Sequence, residues 1–310
     1  MSTDFYAIPH DVNPNNTIEK IIESELALGY LDSRDIDVMV PIVDKTFNRE
    51  LRNISGQMDR EASRSVVDLY YRVQEHRIAL AGQVRSLAKE GRSVEIPTHF
   101  LDQMTNLEKS IIPALHAFAQ SYTVGRWALA QHGIGPVLAA GLIAHIDINK
   151  APTAGHVWSY AGLNPNQVWE KGQVRPWNAE LKTLCWKIGQ SFMKFHNNEA
   201  SFYGHLYKKD KLRRIERNEN GGNAEFAARL LNEKNYRGGT PTRGRLEAGM
   251  LPDGQIDAQA RRYAVKMFLS HWHEIAYWAE FGKAPVAPYV IEHGGHAHYI
   301  APPFKEEFIH

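Results

Sequence analysis

The chain has 310 residues, a formal net charge of +1 and 43% hydrophobic residues, which is enough apolar material for a substantial core. It contains no uninterrupted apolar stretch of about 18 residues, so no membrane-spanning helix is predicted, and its first residues lack the pattern of a secretory signal. The single cysteine, Cys185, excludes a disulfide within the chain and is typical of a reducing compartment. We therefore expect a cytoplasmic protein with no membrane partner.

The charge is unevenly distributed along the chain. Residues 1–130 carry 14 basic and 18 acidic side chains, whereas residues 171–245 carry 16 basic and 7 acidic ones. A basic region of this kind is typical of a surface that binds a polyanion, although solvated loops without a ligand can have the same composition.

Residues 1–124 are predicted to form an N-terminal helical arm. After a polar lead-in, the spacing of apolar residues predicts helices over about 17–28, 36–54, 60–91 and 98–122. Short connections between such helices are typical either of a helical hairpin that dimerises or of a four-helix bundle. We therefore expect this arm to support a homo-oligomer.

Residues 125–310 are predicted to form a second helical domain, so the whole chain is expected to be all-α. Its helices are expected over 152–160, 179–196, 201–217 and 256–281. Residues 166–177 contain glycine and proline and predict a loop or short hairpin. Residues 201–255 form a basic insertion whose last part, 237–254, is rich in helix breakers, and prolines beyond the last helix indicate an extended tail.

A glycine-rich turn begins this second domain. Residues 131–140 read Gln-His-Gly-Ile-Gly-Pro-Val-Leu-Ala-Ala. Gly133 and Gly135 flank Ile134, so the backbone can turn sharply and approach another molecule, and the proline that follows suits the first turn of a helix. The backbone N–H groups of the turn, up to that of Val137, would then point towards one place on the surface. The pattern predicts a helix-hairpin-helix that binds a nucleic-acid phosphate; the alternative is a corner that only packs helices.

Basic residues around this hairpin are further candidates for contacts with nucleic acid. They lie in the loop after it, in the basic insertion and at the start of the last helix. The candidates are Lys171, Arg175, Lys208, Lys209, Lys211, Arg213, Arg214, Arg217, Arg261, Arg262 and Lys266. Amides and lysines of this kind contact phosphates and not base edges, so we expect binding that is largely independent of sequence. The alternative is ordinary solvated charge.

Four tryptophans lie close together in the sequence. Trp158 and Trp186 fall on predicted helices, and Trp186 is predicted to be in the core. Trp169 and Trp177 fall in the polar loop, where they would either stack on bases or sugars or pin the loop to the core.

Histidines cluster near the end of the chain. His293, His296 and His298 are candidate ligands for zinc or another transition metal, but their spacing matches no closed zinc motif and cysteine is absent there. We therefore expect no metal. We expect the tail to pack back on the last helix, with histidines hydrogen-bonded to backbone or phosphate.

Two motifs together resemble a known family. The first is Gly133-Ile-Gly-Pro-Val-Leu-Ala-Ala-Gly-Leu-Ile-Ala, and the second is Trp158-Ser-Tyr-Ala-Gly-Leu-Asn-Pro165. This pairing is similar to the C-terminal domain of insertion sequence 110 family transposases, and the resemblance covers about residues 125–200. It implies that the chain handles DNA, and that a structured RNA is a second partner, because such an RNA guides recombination in that family.

The resemblance also implies which catalytic parts the chain would need. In that family an N-terminal nuclease domain of RNase-H type supplies four acidic residues, and a catalytic serine follows the Gly-Leu-x-Pro stretch. The matching residues 166–175 read Asn-Gln-Val-Trp-Glu-Lys-Gly-Gln-Val-Arg and contain no serine. Ser159 precedes them and Ser191 lies a helix later, and the first 130 residues lack strand patterns. We therefore expect a catalytically inactive relative of these transposases, from a mobile element or phage, that needs no cofactor.

Two alternatives stay open at this point. The chain could be an active transposase, recombinase or nuclease with an unrecognised active site, in which case Mg²⁺ would be its cofactor. It could also be a structural or assembly protein in which the hairpin only packs helices. Salt-sensitive affinity for DNA separates the binding protein from the assembly protein, and strand cleavage identifies the enzyme.

Overall fold

The structure is a computed structural model that describes residues 52–286 and 299–309. Its helices, in chain order, are α1 (Arg60–Lys89), α2 (Glu95–Ser121), α3 (Thr123–Ala130), α4 (Pro136–His145), α5 (Ala154–Tyr160), α6 (Ala179–Lys194), α7 (Phe202–Glu219), α8 (Ala224–Glu233), α9 (Pro241–Glu247), α10 (Asp253–Phe281) and α11 (Lys305–Phe308), with a 3₁₀ turn at Ile148–Lys150. No strand occurs in these two described ranges, so the all-α prediction is confirmed for them.

The described helices belong to one compact unit, Ile54–His310. Predicted helices over 17–28 and 36–54 lie outside the described residues, apart from the last three positions of the second. The predicted division of the chain at residues 124 and 125 stays a prediction. None of the described helices is long and apolar enough to cross a lipid bilayer.

Helix α4 lies at the centre of the packing. All residues from Ala139 to His145 are buried, because the helix is apolar on every side and has no face to offer to water. It contacts α1, α2, α3 and α6. Gly141 permits the approach of α6, since a Cβ at this position would lie 2.9 Å from Cδ2 of Leu184. At the C-terminal end of α4, the guanidinium of Arg64 donates a hydrogen bond to the Ala144 carbonyl at 2.9 Å.

An aromatic cluster joins α10 to α3, α6 and α7. The Phe268 ring is fully buried and stacks on Trp127 at a centroid distance of 5.5 Å. It also meets Phe192 and Tyr203 edge to face, at 5.5 Å and 5.1 Å. Edge-to-face and offset stacking are the favourable arrangements of aromatic rings, so this cluster fixes the position of α10 in the unit.

The basic insertion over 201–255 contains folded structure of its own. Helices α8 and α9 pack on each other and, with the start of α10, enclose a second small apolar cluster. Its buried members are Ala227, Leu230, Leu246, Leu251 and Ile256. Helix α9 lies in the segment predicted to be rich in breakers. It forms because Thr240 caps its first turn, accepting from the Arg243 amide at 3.4 Å, and because proline is tolerated at position 241 in that turn.

The C-terminal residues return to the last long helix, as predicted. The Nε2 hydrogen of His271 is directed to the Ile300 carbonyl at 2.8 Å, and the Tyr203 hydroxyl lies 2.8 Å from Nδ1. The Nε2 atom of His273 lies 2.7 Å from the Ala151 carbonyl. Both imidazoles are therefore hydrogen-bonded to backbone within the described residues.

This setting predicts a pH-dependent loss of stability. Burial lowers the pKa of His271 to about 4, whereas an unfolded histidine titrates near pH ~6.5. The folded state therefore rejects a proton that the unfolded state accepts, and stability present above pH ~6.5 is lost as the pH falls towards about 4. Between about pH 7.5 and about pH 5 this group should remove about 2 kcal/mol from the free energy of unfolding.

Urea unfolding of the wild type and of His271→Gln at these two pH values measures the effect. The variant is less stable at neutral pH, because it loses the imidazole contacts. Its free energy of unfolding should nevertheless fall less on acidification than that of the wild type. Equal losses in the two proteins would show that His271 does not titrate on unfolding.

Candidate nucleic-acid interface

The hairpin between α3 and α4 uses its two glycines differently. Gly133 has φ +95°, and its carbonyl accepts a hydrogen bond from the Ser191 hydroxyl at 2.5 Å. A Cβ at this position would lie 3.0 Å from Oγ of Ser191 and 3.3 Å from the Phe195 ring. The fold therefore requires glycine at 133. Gly135 has φ −93° and open space where a side chain would be, so the fold tolerates other residues there.

Ile134 anchors the tip of this hairpin. Its side chain is 5% exposed, and its amide donates to the Gln131 carbonyl at 3.0 Å. The Gln131 side chain is buried as well and donates to the Trp127 carbonyl at 3.0 Å. Among the predicted contact residues, Ile134 thus holds the turn from inside and presents neither its side chain nor its amide to a ligand.

The first turn of α4 leaves amides free at the surface. Gly135 is the N-cap, Pro136 follows it, and no side chain caps this end of the helix. The first N–H groups of an α-helix have no acceptor within the helix. Within the described residues, the N–H groups of Gly135, Val137 and Leu138 have no acceptor elsewhere either. These donors and the positive end of the helix dipole suit an anion.

Several cations of the basic helix α7 are paired within the protein. Lys211 contacts Asp257 at 2.8 Å. Arg213 and Arg214 both contact Asp210, each at 2.5 Å, and the carboxylate of Asp210 is almost fully buried. Each of these three predicted contact residues therefore has a carboxylate beside it, and because each carboxylate is shared by two cations it balances about half of their charge. The remaining cations of the helix are exposed without a carboxylate partner in the described residues: Lys208, Lys209 and Arg217.

A second group of cations has no carboxylate partner in residues 52–286 and 299–309. We call Arg175, Lys182, Arg262 and Lys266 the unpaired cation cluster. Burial, followed by repulsion from Arg175 and Arg262, lowers the pKa of Lys182. Lys266 lies one helical turn after Arg262, and its Nζ stands 4.2 Å from the centre of the Trp158 ring. Burial lowers the pKa of Lys266 too.

The unpaired cation cluster contains three predicted contact residues and one that the sequence interpretation missed, Lys182. Of the other predicted residues, Lys171 is exposed in the loop before α6, and Arg261 is paired with Asp257 at 2.8 Å. The predicted metal candidates His293, His296 and His298 lie outside the described residues. No group of three or more histidine, cysteine, aspartate or glutamate side chains in the described part of the chain could hold a metal ion.

The prediction that Trp186 belongs to the core is wrong. Its side chain is 60% exposed, whereas Cys185 beside it is buried. Helix α6 buries the face that carries Leu181, Leu184 and Ile188. Ala179, Lys182, Thr183 and Trp186 recur at intervals of three and four residues, and this regular spacing was the signal that could have placed Lys182 and Trp186 together on the outer face.

The two serines nearest in sequence to the loop at 166–177 take part in hydrogen bonds within the protein. Ser159 Oγ accepts a hydrogen bond from Nδ2 of Asn164 at 3.1 Å. Ser191 donates to Gly133, as described above, and thereby ties α6 to the hairpin. In the loop itself, Trp169 Nε1 donates to the Gln173 carbonyl at 2.8 Å.

Comparison with known proteins finds a family match for part of the chain. No curated protein and no solved structure matches the chain. Residues 129–203 match the model of one family, and this segment spans the hairpin, α4, α5 and α6. The matching model is that of the Transposase IS116/IS110/IS902 family, so residues 129–203 are similar to this family, as the resemblance of the two motifs predicted.

Proposed function

We propose that this transposase-related chain binds DNA through the phosphate backbone and does not itself cut or join strands. The observation that carries the proposal is the unpaired cation cluster, of which Arg175 and Lys182 lie within the segment that matches a transposase family. Structured RNA is a second polyanion that the same groups would accept.

Repulsion within the cluster explains why a polyanion would bind there. Burial, and then the charges of Arg175 and Arg262, lower the pKa of Lys182. Arg262 also lies near two arginines outside the cluster, Arg214 and Arg261, and burial followed by their charges lowers its pKa. Bringing a phosphate between such cations replaces repulsion by attraction and releases counterions from the nucleic acid. Phosphate contacts carry no sequence information, so the binding should be largely independent of sequence.

The proposal of catalytic inactivity is supported by residues 166–175. The positions after Pro165, where the family has its serine, carry Trp169, Glu170 and Lys171 and no hydroxyl nucleophile. Ser159 and Ser191 are the nearest serines in sequence on either side, and the Ser191 hydroxyl is already used as a donor to the Gly133 carbonyl. The cytoplasmic location and the homo-oligomer stay predictions; light scattering on the purified chain tests the latter.

Removing the unpaired cations should reduce the salt dependence of DNA binding. In the triple variant Lys182→Ala, Arg262→Ala, Lys266→Ala, the slope of log affinity against log salt concentration should fall by about 2 to 3, since each phosphate contact contributes roughly 0.7–0.9. Fluorescence anisotropy with a labelled duplex over a salt series measures this slope.

A matched control removes three exposed cations elsewhere: Lys89→Ala, Arg92→Ala and Lys109→Ala. This variant has the same net charge as the first and should keep the wild-type slope within experimental error. If both triple variants lose the same slope, net charge and not the cluster governs the affinity. An unchanged slope in the first variant contradicts the proposal.

Substitutions at the two hairpin glycines should separate stability from binding. Gly135→Leu places a side chain over the free amides and should weaken DNA binding by about 10-fold or more, because hydrogen bonds to a charged group are lost. Its stability should stay within about 0.5 kcal/mol of the wild type. Gly133→Ala should instead lose about 1–2 kcal/mol of stability, because its backbone is left-handed.

Gly254 provides the control for the binding measurement. It lies in the first turn of α10, and a Cβ there also meets open space. Gly254→Leu should therefore bind DNA like the wild type. Wild-type affinity in a folded Gly135→Leu protein would remove the hairpin from the interface.

The chain should show no nuclease or strand-transfer activity with Mg²⁺ or Mn²⁺. We expect no nicking of supercoiled plasmid, no joined products and no covalent protein–DNA adduct on a denaturing gel. An adduct that disappears in Ser159→Ala or Ser191→Ala would show that the nucleophile has moved, and would establish the enzyme alternative in place of the binding protein.

A further inference from the structure

A cavity of about 440 Å³ opens between the outer face of α6 and the loop at 166–177. We call it the tryptophan pocket; its lining includes Trp169, Arg175, Trp177, Lys182 and Trp186. Its volume is within the range of about 300–1,000 Å³ that small-molecule sites have. Three indoles and two cations, with no carboxylate in the lining, are an unusual combination for a protein surface.

The walls of the tryptophan pocket are held in place by specific contacts. The Asn178 amide donates to the Tyr160 carbonyl at 2.9 Å and so fixes the end of the loop at the start of α6. Gly162 has φ +64°, and a Cβ there would lie 2.8 Å from Cγ of Trp177, so glycine allows this indole to pack against the turn. These contacts therefore hold the Trp177 side of the pocket against the turn at Gly162.

The three indoles have different neighbours. The guanidinium of Arg175 stands 4.9 Å from the centre of the Trp169 ring, and Nζ of Lys182 stands 4.0 Å from that of Trp177. In contrast, Trp186 has no aromatic or cationic partner among the described residues, although it is 60% exposed. A flat apolar ring is thus presented to water beside two positive charges that lack acidic partners.

We propose that the tryptophan pocket binds one unstacked base of a single-stranded nucleic acid. The base stacks on Trp186, and the neighbouring phosphates contact Arg175 and Lys182. This inference rests on the proposed function and adds to it a preference for single strands. In a duplex the faces of the bases are covered by their neighbours, and an acidic peptide offers charge without a flat ring, so a single strand fits both features.

The test compares three labelled ligands by fluorescence anisotropy. They are a 20-nucleotide thymidine strand, an abasic strand of the same length and a 20-base-pair duplex. Trp186→Ala should weaken binding of the thymidine strand by about 10-fold or more, the scale on which removal of one stacking aromatic acts. Duplex and abasic affinities should change less than about 2-fold, because their phosphate contacts remain.

Two further variants make the result specific to the pocket. Trp186→Phe should recover part of the lost affinity, since it restores an aromatic face. Phe100→Ala removes another exposed ring, 57% exposed on α2, and should leave all three affinities unchanged. Thermal unfolding of each variant confirms that the fold is kept, which is expected because both rings are exposed.

The outcomes separate this inference from the proposed function. If duplex binding is present but Trp186→Ala affects the thymidine strand no more than the abasic one, the pocket does not bind bases and the backbone interface stands. If Trp186→Ala weakens binding of labelled polyglutamate as much as it weakens binding of the thymidine strand, the ring does not act on a base and the inference is wrong. If none of the three ligands binds the wild type at low salt, the proposed function fails.

Discussion

Helix α4 has no polar face, and this constraint organises the rest of the described structure. A helix that is apolar on all sides must be covered on all sides, since each exposed side chain forgoes the free energy of leaving water. Helices α1, α2, α3 and α6 provide that cover. Because the helix is enclosed along its length, only its first turn reaches the surface, and the amides near Gly135 and Val137 are presented there without a cap. The buried packing thus determines where the hairpin can meet a ligand.

Two buried or half-buried carboxylates divide the basic surface into paired and unpaired parts. Asp210 holds two arginines of α7, and Asp257 holds Lys211 and Arg261. A cation that already lies beside a carboxylate gains less electrostatic free energy when it binds a phosphate, because the carboxylate already stabilises its charge. The cations without partners, such as Lys182 and Arg262, lie on different helices, and their proximity is a property of the packing of α6 against α10.

The helices were predictable because their apolar residues recur at intervals of three and four, and α1, α6 and α10 begin and end within a few residues of the expected positions. The Gly-Ile-Gly turn was predictable because two glycines followed by a proline indicate a sharp turn that leads into a helix. The sequence did not predict that Lys211 pairs with Asp257 or that Trp186 is exposed. Both depend on which face of a helix packs against a neighbouring helix. Helix α9 was missed because its short capped turn is surrounded by glycines that dominate the local pattern.

The packing of other helices around α4 has a consequence for whether residues 129–203 could be transferred to another protein as a unit. Val67, Leu115 and Phe118 contribute to the same core as Leu142, yet they precede the segment that matches the transposase family, and Phe268 follows it. The family segment is therefore not closed on itself. A gene that acquired residues 129–203 alone would encode a protein with a strongly apolar helix exposed to water. This segment can therefore be transferred only together with helices that bury α4.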